Sequence, residues 1–134
     1  MRRKLIEQVI GKATMMTTIS AAATSAHASS SIDREGFLSA YVVGQISATA
    51  ADTAAVSFHI YDSSDNSTFA IYDSANATIS VNATAVVTAG VFDVDLAGAH
   101  RYIKVYATPD EATNATASIT AACILGDAVE EPAT

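Results

Sequence analysis

Three histidines, His27, His59 and His100, are the residues of this sequence best suited to acid–base or metal chemistry. Paired metal ligands need short spacings such as i, i+2 or His-Glu-x-x-His, and no two of these histidines are so spaced. The sequence also lacks a Gly-x-Ser-x-Gly nucleophile elbow and a glycine-rich phosphate loop. We therefore expect His59 and His100 to be solvent-facing. We predict no catalytic residue, no metal site, no cofactor and no enzyme activity.

Acidic side chains raise the possibility of calcium binding. Asp62, Asp65 and Asn66 lie in one polar segment, while Asp93 and Asp95 share one face of an expected strand. Calcium takes six or more oxygen ligands, and neither group shows a complete binding-loop pattern. We interpret both groups as solvated acidic surface.

The tyrosines at positions 61, 72, 102 and 106 could form a sugar-binding platform. Aromatic side chains on strands more often pack against each other across the sheet, and we expect that here. Cys123 is the single cysteine, so an internal disulfide and a zinc site built on paired thiols are excluded. It lies in an apolar segment, where a small buried hydrophobic residue is expected.

Alternation of apolar and polar residues dominates the sequence from residue 32 onwards. The expected strands are residues 37–43, 56–61, 69–72, 79–81, 86–87, 91–96, 100–107 and 115–125. Residues 97–99 form a short turn between two strands that each have one buried face, and residues 109–111 form another turn. Seven to nine strands at ~10-residue spacing predict an all-β fold, an antiparallel β-sandwich or jelly-roll-like domain with an extended N-terminal arm.

The length of 134 residues suits one such domain. We divide the chain into an arm (1–31), a β-sandwich (32–126) and an acidic tail (127–134). The arm is expected to begin with a short amphipathic stretch, because Leu5, Ile6, Val9 and Ile10 fall at helical spacing and Gly11 could end it. Its remainder, 15–31, is an Ala/Thr/Ser-rich connector.

A secretory signal cleaved near Ala28 is the alternative interpretation of the arm. The basic start and the small residues at 26–28 favour it, but Glu7, Gln8 and Lys12 interrupt the region that should be apolar. No stretch approaches the ~20 apolar residues of a membrane-spanning helix, so no membrane partner is expected.

Charge is distributed unevenly along the chain. The net charge is −7, yet the first 12 residues carry four cations and one anion, which leaves an acidic body. Such a body argues against direct nucleic-acid binding. The basic arm could contact an acidic partner, or it could be a solvated helix start. The expected partner-binding residues are Arg2, Arg3, Lys4, Leu5, Ile6, Val9 and Ile10.

Several loose motifs follow one another in a fixed order. Residues 32–37 have the form Ile-Asp-x-x-Gly-Phe. Residues 56–69 are an expected strand followed by a loop of the form Ser-x-Asp-x-x-Thr-Phe, and residues 95–105 end in the form Gly-x-x-Arg-Tyr-Ile-Lys-Val. Residues 121–126 form a closing apolar strand and a glycine. In this order they resemble the small head-associated proteins of tailed bacteriophages.

The resemblance implies a structural virion protein without enzymatic activity. It implies a capsid decoration or cement protein, made in the host cytoplasm, that binds the outer face of the major capsid shell and stabilises it. Its partners would be the major capsid protein and further copies of itself, with a trimer as one arrangement. The alternatives are another virion component, such as a head spike, connector or tail protein, and a secreted carbohydrate-binding or adhesive β-sandwich module.

Overall fold

The computed structural model describes residues 10–19, 25–48, 54–81, 87–111 and 117–128. The elements there are all strands, so the expected all-β class is confirmed. They are β1 (Ile10–Ile19), β2 (His27–Ala28), β3 (Ile32–Asp33), β4 (Phe37–Ala48), β5 (Ala54–Ser63), β6 (Ala70–Val81), β7 (Val87–Asp95), β8 (Tyr102–Glu111) and β9 (Ala117–Ala128). This part of the chain contains no helix of the length and apolarity that a membrane span requires.

The strands form two antiparallel sheets. The four-stranded sheet has the order β1-β9-β4-β7, and the five-stranded sheet has the order β2-β8-β5-β6 with β3 also paired to β8. Most connections therefore cross from one sheet to the other. This strand order is that of a jelly roll, in which two Greek-key sheets enclose one core.

The core lies between the two sheets and is built from alternate residues of each strand. Its largest fully buried side chains include Phe58, Ile46, Ile60, Leu96, Ile103, Ile119 and Leu125. Full burial of a side chain of this size contributes roughly 1.5–3 kcal/mol. The period-two pattern of the sequence thus predicts correctly which faces of these strands turn inward.

Gly44 of β4 leaves room for the ring of Phe58, the largest fully buried side chain. A Cβ atom built on Gly44 would lie 2.6 Å from Cε2 of Phe58 on the opposite sheet. The ring therefore occupies the space that any other residue at position 44 would fill. This close approach explains a glycine in the middle of a strand.

Residues 91–107 form two strands, as expected, but these do not pair with each other. β7 pairs with β4 in one sheet, and β8 pairs with β5 in the other. The turn at 97–99 therefore carries the chain across the sandwich instead of closing a hairpin. Local alternation predicts a buried face but contains no information about which strand lies alongside.

Two further local predictions are corrected. Residues 69–72 and 79–81 belong largely to one strand, β6 (Ala70–Val81). The expected turn at 109–111 is the end of β8, where Pro109 pairs with Val56. On its other edge, β8 pairs with β2 only at Tyr106 and Ala107. Pro109 therefore has no strand partner on that edge to which a backbone N–H would donate, and a proline is tolerated there.

The arm prediction is also corrected for residues 10–19, which form the edge strand β1 paired with β9 from Ile10↔Leu125 to Ile19↔Ala117. They are therefore neither the end of a helical stretch nor a connector. The uncovered edge of β9 supplies backbone partners, and the Thr- and Ile-containing segment suits a strand. The other predicted partner-binding residues, Arg2, Arg3, Lys4, Leu5, Ile6 and Val9, lie outside the described residues. The boundaries at 31 and 126 stay predictions, although β9 continues to Ala128.

Candidate functional site

The three motifs that the sequence places far apart meet at one end of the sandwich. The connections 34–36, 64–69 and 96–101 all lie at this end, which we call the loop end. The chain also enters β1 and leaves β9 there, because Ile10 pairs with Leu125 and Phe37 pairs with Ala128.

Arg34 ties the first motif to the third. Its Nε donates to the backbone carbonyl of His100 at 2.9 Å, Nη1 donates to the carbonyl of Phe37 at 3.1 Å, and Nη2 donates to the carbonyl of Ala99. Its backbone N–H also donates to the carbonyl of Arg101 at 2.9 Å. The guanidinium is thus engaged in holding two loops together.

Arg101 makes the second connection between these motifs. Its Nη2 lies 2.8 Å from Oδ2 of Asp33 and 2.8 Å from Oε2 of Glu35. The hydrogen bonds to Asp33 raise the pKa of Arg101 further above its already high value. These groups are all substantially exposed, so solvent screens both ion pairs and they contribute little to stability.

Asp62 connects the second motif to the third. The residue is only 8% exposed, and its Oδ2 accepts the backbone N–H of His100 at 2.8 Å. The same oxygen lies 2.7 Å from Nδ1 of His100, whose side chain is 61% exposed. His100 is therefore solvent-facing as expected, but its ring orientation is set by a buried carboxylate.

The polar loop after β5 is organised by Asp65. Its Oδ1 accepts the backbone N–H groups of Ser67 and Thr68 at 2.9 Å and the hydroxyl of Ser63 at 2.8 Å. These bonds, above all that from Thr68, lower the pKa of Asp65 to about 2. Asp65 thus holds the fold of its own loop through Oδ1. Among the described residues, no three His, Cys, Asp or Glu side chains are grouped to hold a metal ion.

The outward side of the five-stranded sheet carries an aromatic surface beside the loop end. We call it the aromatic face. Its members are His59, Tyr61, Phe69, Ile71, Tyr102, Lys104 and Tyr106. The rings of Tyr61 and Tyr106 stack with centroids 4.0 Å apart, and the Lys104 ammonium lies 4.3 Å from the centroid of the Phe69 ring.

The four-tyrosine platform is only partly assembled. Tyr61, Tyr102 and Tyr106 share the aromatic face, whereas Tyr72 packs against the core and donates its hydroxyl to the Asp95 carbonyl at 2.9 Å. The expected cross-strand packing is realised in the Tyr61–Tyr106 stack. Sequence reasoning missed Phe69, Ile71 and Lys104 as members, because the pairing of β6 with β5 and of β5 with β8 brings them together.

His59 also lies on this face, half-buried opposite Tyr106. Its Nδ1 is buried and finds no hydrogen-bond partner among the described residues. The register of β6 against β5 shifts at this position, so β6 is irregular opposite His59. Irregular pairing of this kind re-aims side chains at the surface of a sheet.

Cys123 is buried in β9, as expected for a small core residue. Burial raises the pKa of its thiol to about 12, because the thiolate cannot be solvated there. Its chemistry is therefore suppressed in the folded protein.

The sequence matches no protein-family model and no curated protein sequence. Among solved structures, the PBSX exported protein XepA matches with a TM-score of 0.50 and 22% identity over 90% of this chain. This chain spans 39% of the XepA chain. A structure described as "CBM4 structure and function" matches with a TM-score of 0.51 and 15% identity, covering 81% of this chain and 73% of that one.

The infectious bursal disease virus VP2 subviral particle also matches, with a TM-score of 0.47 and 12% identity, over 89% of this chain and 34% of that chain. All three identities lie far below the level that shows a common function. The chain shares its β-sandwich architecture with the PBSX exported protein XepA and with the CBM4 structure.

Proposed function

We propose that this protein is a structural component of a bacteriophage virion, a decoration or cement protein that binds the outer face of the major capsid shell. The observation that supports it is the assembly of the three resembling motifs into one spatial unit. Asp33 pairs with Arg101, Asp62 pairs with His100, and Phe69 pairs with Lys104. Motifs that are loose in sequence are thus joined by specific contacts between their own residues.

These contacts hold loops in place, which suits a structural protein of the virion. The Arg34 and Asp62 side chains are engaged by backbone groups of the loops they hold. Likeness of fold to the PBSX exported protein XepA is compatible with a virion-associated structural protein. We propose both the decoration role and the absence of enzyme activity.

Attachment is proposed to involve the basic N-terminal residues. An acidic body repels other copies and DNA, while the cations at positions 2–4 are attracted to acidic patches of the shell. Because Ile10 begins β1, we restrict the attaching segment to residues 2–9. Further copies of the chain are expected as neighbours on the shell.

Retention on capsids of the encoding phage tests this proposal. Exposed ion pairs contribute only ~0–1 kcal/mol each and are screened by salt, whereas a buried Leu or Ile side chain contributes ~1.5–3 kcal/mol. We therefore expect Leu5→Asp with Ile6→Asp to release the protein, and Arg2→Ala with Arg3→Ala to weaken it modestly. Wild-type protein that does not bind capsids at any salt concentration would contradict the proposal.

Another virion component with the same fold is the main competing assignment. A head spike, connector or tail protein would bind the particle at a few sites, and a decoration protein would cover the shell. A reconstruction of the virion distinguishes these outcomes directly by the position and number of copies.

A further inference from the structure

The aromatic face presents a continuous row of side chains across three strands. Ile71 of β6 lies opposite Tyr61 of β5, and Tyr61 lies opposite Lys104 of β8. The Tyr61–Tyr106 stack and Phe69 flank this row. Ile71 is 52% exposed and adds an aliphatic side chain to the aromatic surface, and contiguous apolar surface of this kind marks interaction sites.

The central rings of this surface each have one face in contact with a neighbouring side chain. Tyr61 and Tyr106 cover each other, and Lys104 covers Phe69. Beside these rings stands the exposed aliphatic side chain of Ile71. A saccharide-binding platform uses aromatic rings that lie open side by side, whereas these tyrosines stack on each other, so this arrangement favours a protein partner.

The charge of the aromatic face differs from that of the whole chain. The chain has a net charge of −7, yet the row from Ile71 to Lys104 contains a cation and no carboxylate. Asp33 lies at the margin, opposite Tyr102, and is paired with Arg101. The face therefore suits the same kind of acidic partner surface that would attract the basic N-terminal residues.

The outward side of the four-stranded sheet offers a contrast. Val91 is 55% exposed there and Tyr41 is exposed beside it, but Asp93 lies opposite Tyr41 and Asp95 follows on the same face. An acidic shell surface would be repelled from this side. Each outward face thus has one aliphatic side chain of similar exposure, Ile71 or Val91, but the charged residues beside these two side chains have opposite signs.

We propose that the aromatic face is the surface on which this protein docks to the capsid shell, against a protein surface with an apolar centre and a carboxylate opposite Lys104. This rests on the proposed function and names the contact surface. Tyrosine and other aromatic residues are enriched at the buried centres of protein interfaces, with charged residues around them.

Two substitutions on the aromatic face and one matched control test the proposal. Ile71→Asp buries an uncompensated charge in the interface, and Lys104→Glu reverses the attractive charge. Val91→Asp places the same charge at the same exposure on the other sheet. Binding of full-length variants to capsids is measured by co-sedimentation, with circular dichroism and thermal unfolding recorded for each variant.

We expect about tenfold or greater weakening for Ile71→Asp, at least severalfold weakening for Lys104→Glu, and little change for Val91→Asp. Release by Val91→Asp with normal binding of Ile71→Asp overturns the inference and leaves the proposed function intact. Normal capsid binding by Ile71→Asp together with loss of self-association assigns the face to a second copy, which also overturns it.

A second binding experiment, with a polysaccharide, distinguishes a failure of the capsid function from a failure of the docking inference alone. Purified host cell-surface polysaccharide is tested with the same variants. Wild-type protein that binds this polysaccharide and not capsids, with loss in Ile71→Asp, contradicts both the capsid function and the docking inference. Capsid binding that is weakened by Ile71→Asp and by Lys104→Glu but not by Val91→Asp, without polysaccharide binding, supports both.

Discussion

One carboxylate oxygen of Asp62 holds His100 through two different groups. Oδ2 accepts the His100 backbone N–H at 2.8 Å and lies 2.7 Å from the ring Nδ1. Asp62 is the last residue but one of β5 in one sheet, and His100 lies in the connection that arrives from the other sheet. The contact therefore fixes the crossing of the sandwich at the point where the third motif begins.

Asp62→Ala is expected to lower the free energy of unfolding by about 1–3 kcal/mol, because the His100 N–H loses its acceptor next to the core. His100→Ala keeps the backbone bond and removes only an exposed ring, so it should cost about 1 kcal/mol or less. Denaturant unfolding of both variants measures the difference. Equal losses would show that the ring contact, and not the backbone bond, carries the effect.

Gly44→Ala is expected to destabilise the protein by about 1–3 kcal/mol, because its methyl group would overlap the Phe58 ring. Phe58→Leu removes the ring atoms that cause the overlap. In that background, Gly44→Ala should cost much less, which a double-mutant cycle measures. Additive effects would show that the cost arises elsewhere, for instance from the backbone at position 44.

The sequence predicts the fold class and the inward faces because burial follows a period of two along each strand. Val42, Phe58 and Val105 all sit where alternation places them. Strand partners depend on contacts distant in sequence, which alternation does not encode. For that reason the turn at 97–99 is predicted as a turn but not as a crossing between sheets.

The candidate site was predictable only in part for the same reason. The sequence predicts that the strand tyrosines pack against each other across the sheet, and the Tyr61–Tyr106 stack confirms this for two of them. Phe69 and Ile71 lie after a polar loop, and only their pairing alongside β5 brings them to the aromatic face. The sequence predicts a helical stretch ending near Ile10 and a connector from residue 15, and for residues 10–19 this is wrong because the open edge of β9 outweighs their weak local pattern.

Acid titration should show Asp65 ionising with a pKa of about 2, below its ordinary value of 3.8. The ionised form accepts the loop N–H groups, so its stabilising effect is complete above pH 3.8 and is lost as the pH falls toward 2. Carboxyl-carbon NMR follows this residue directly. Ser63→Ala should raise this pKa only partly, because the Thr68 and Ser67 bonds remain. A titration midpoint near 3.8 in the wild type would contradict the loop geometry.

The Cys123 thiol should not react with a disulfide reagent at pH 8 in the folded protein and should react fully after denaturation. Burial raises its pKa to about 12, so the reactive thiolate is scarce and inaccessible. Its burial favours the folded state below the ordinary thiol pKa of 9.0, and this advantage declines as the pH rises from 9.0 toward 12. Rapid labelling of native protein would show that β9 opens frequently.

Two N-terminal deletions should separate attachment from folding. Removing residues 2–9 leaves β1 intact, so we expect unfolding to change by no more than about 0.5 kcal/mol while capsid retention weakens. Removing residues 2–19 also takes away β1 and uncovers the edge of β9 from Ala117 to Leu125. Because an uncovered edge strand pairs readily with other chains, this longer deletion should lower the melting temperature and promote aggregation. Thermal unfolding, light scattering and capsid co-sedimentation are measured on both variants. A large loss of stability in the shorter deletion would show that residues 2–9 belong to the sandwich and are not available for the shell.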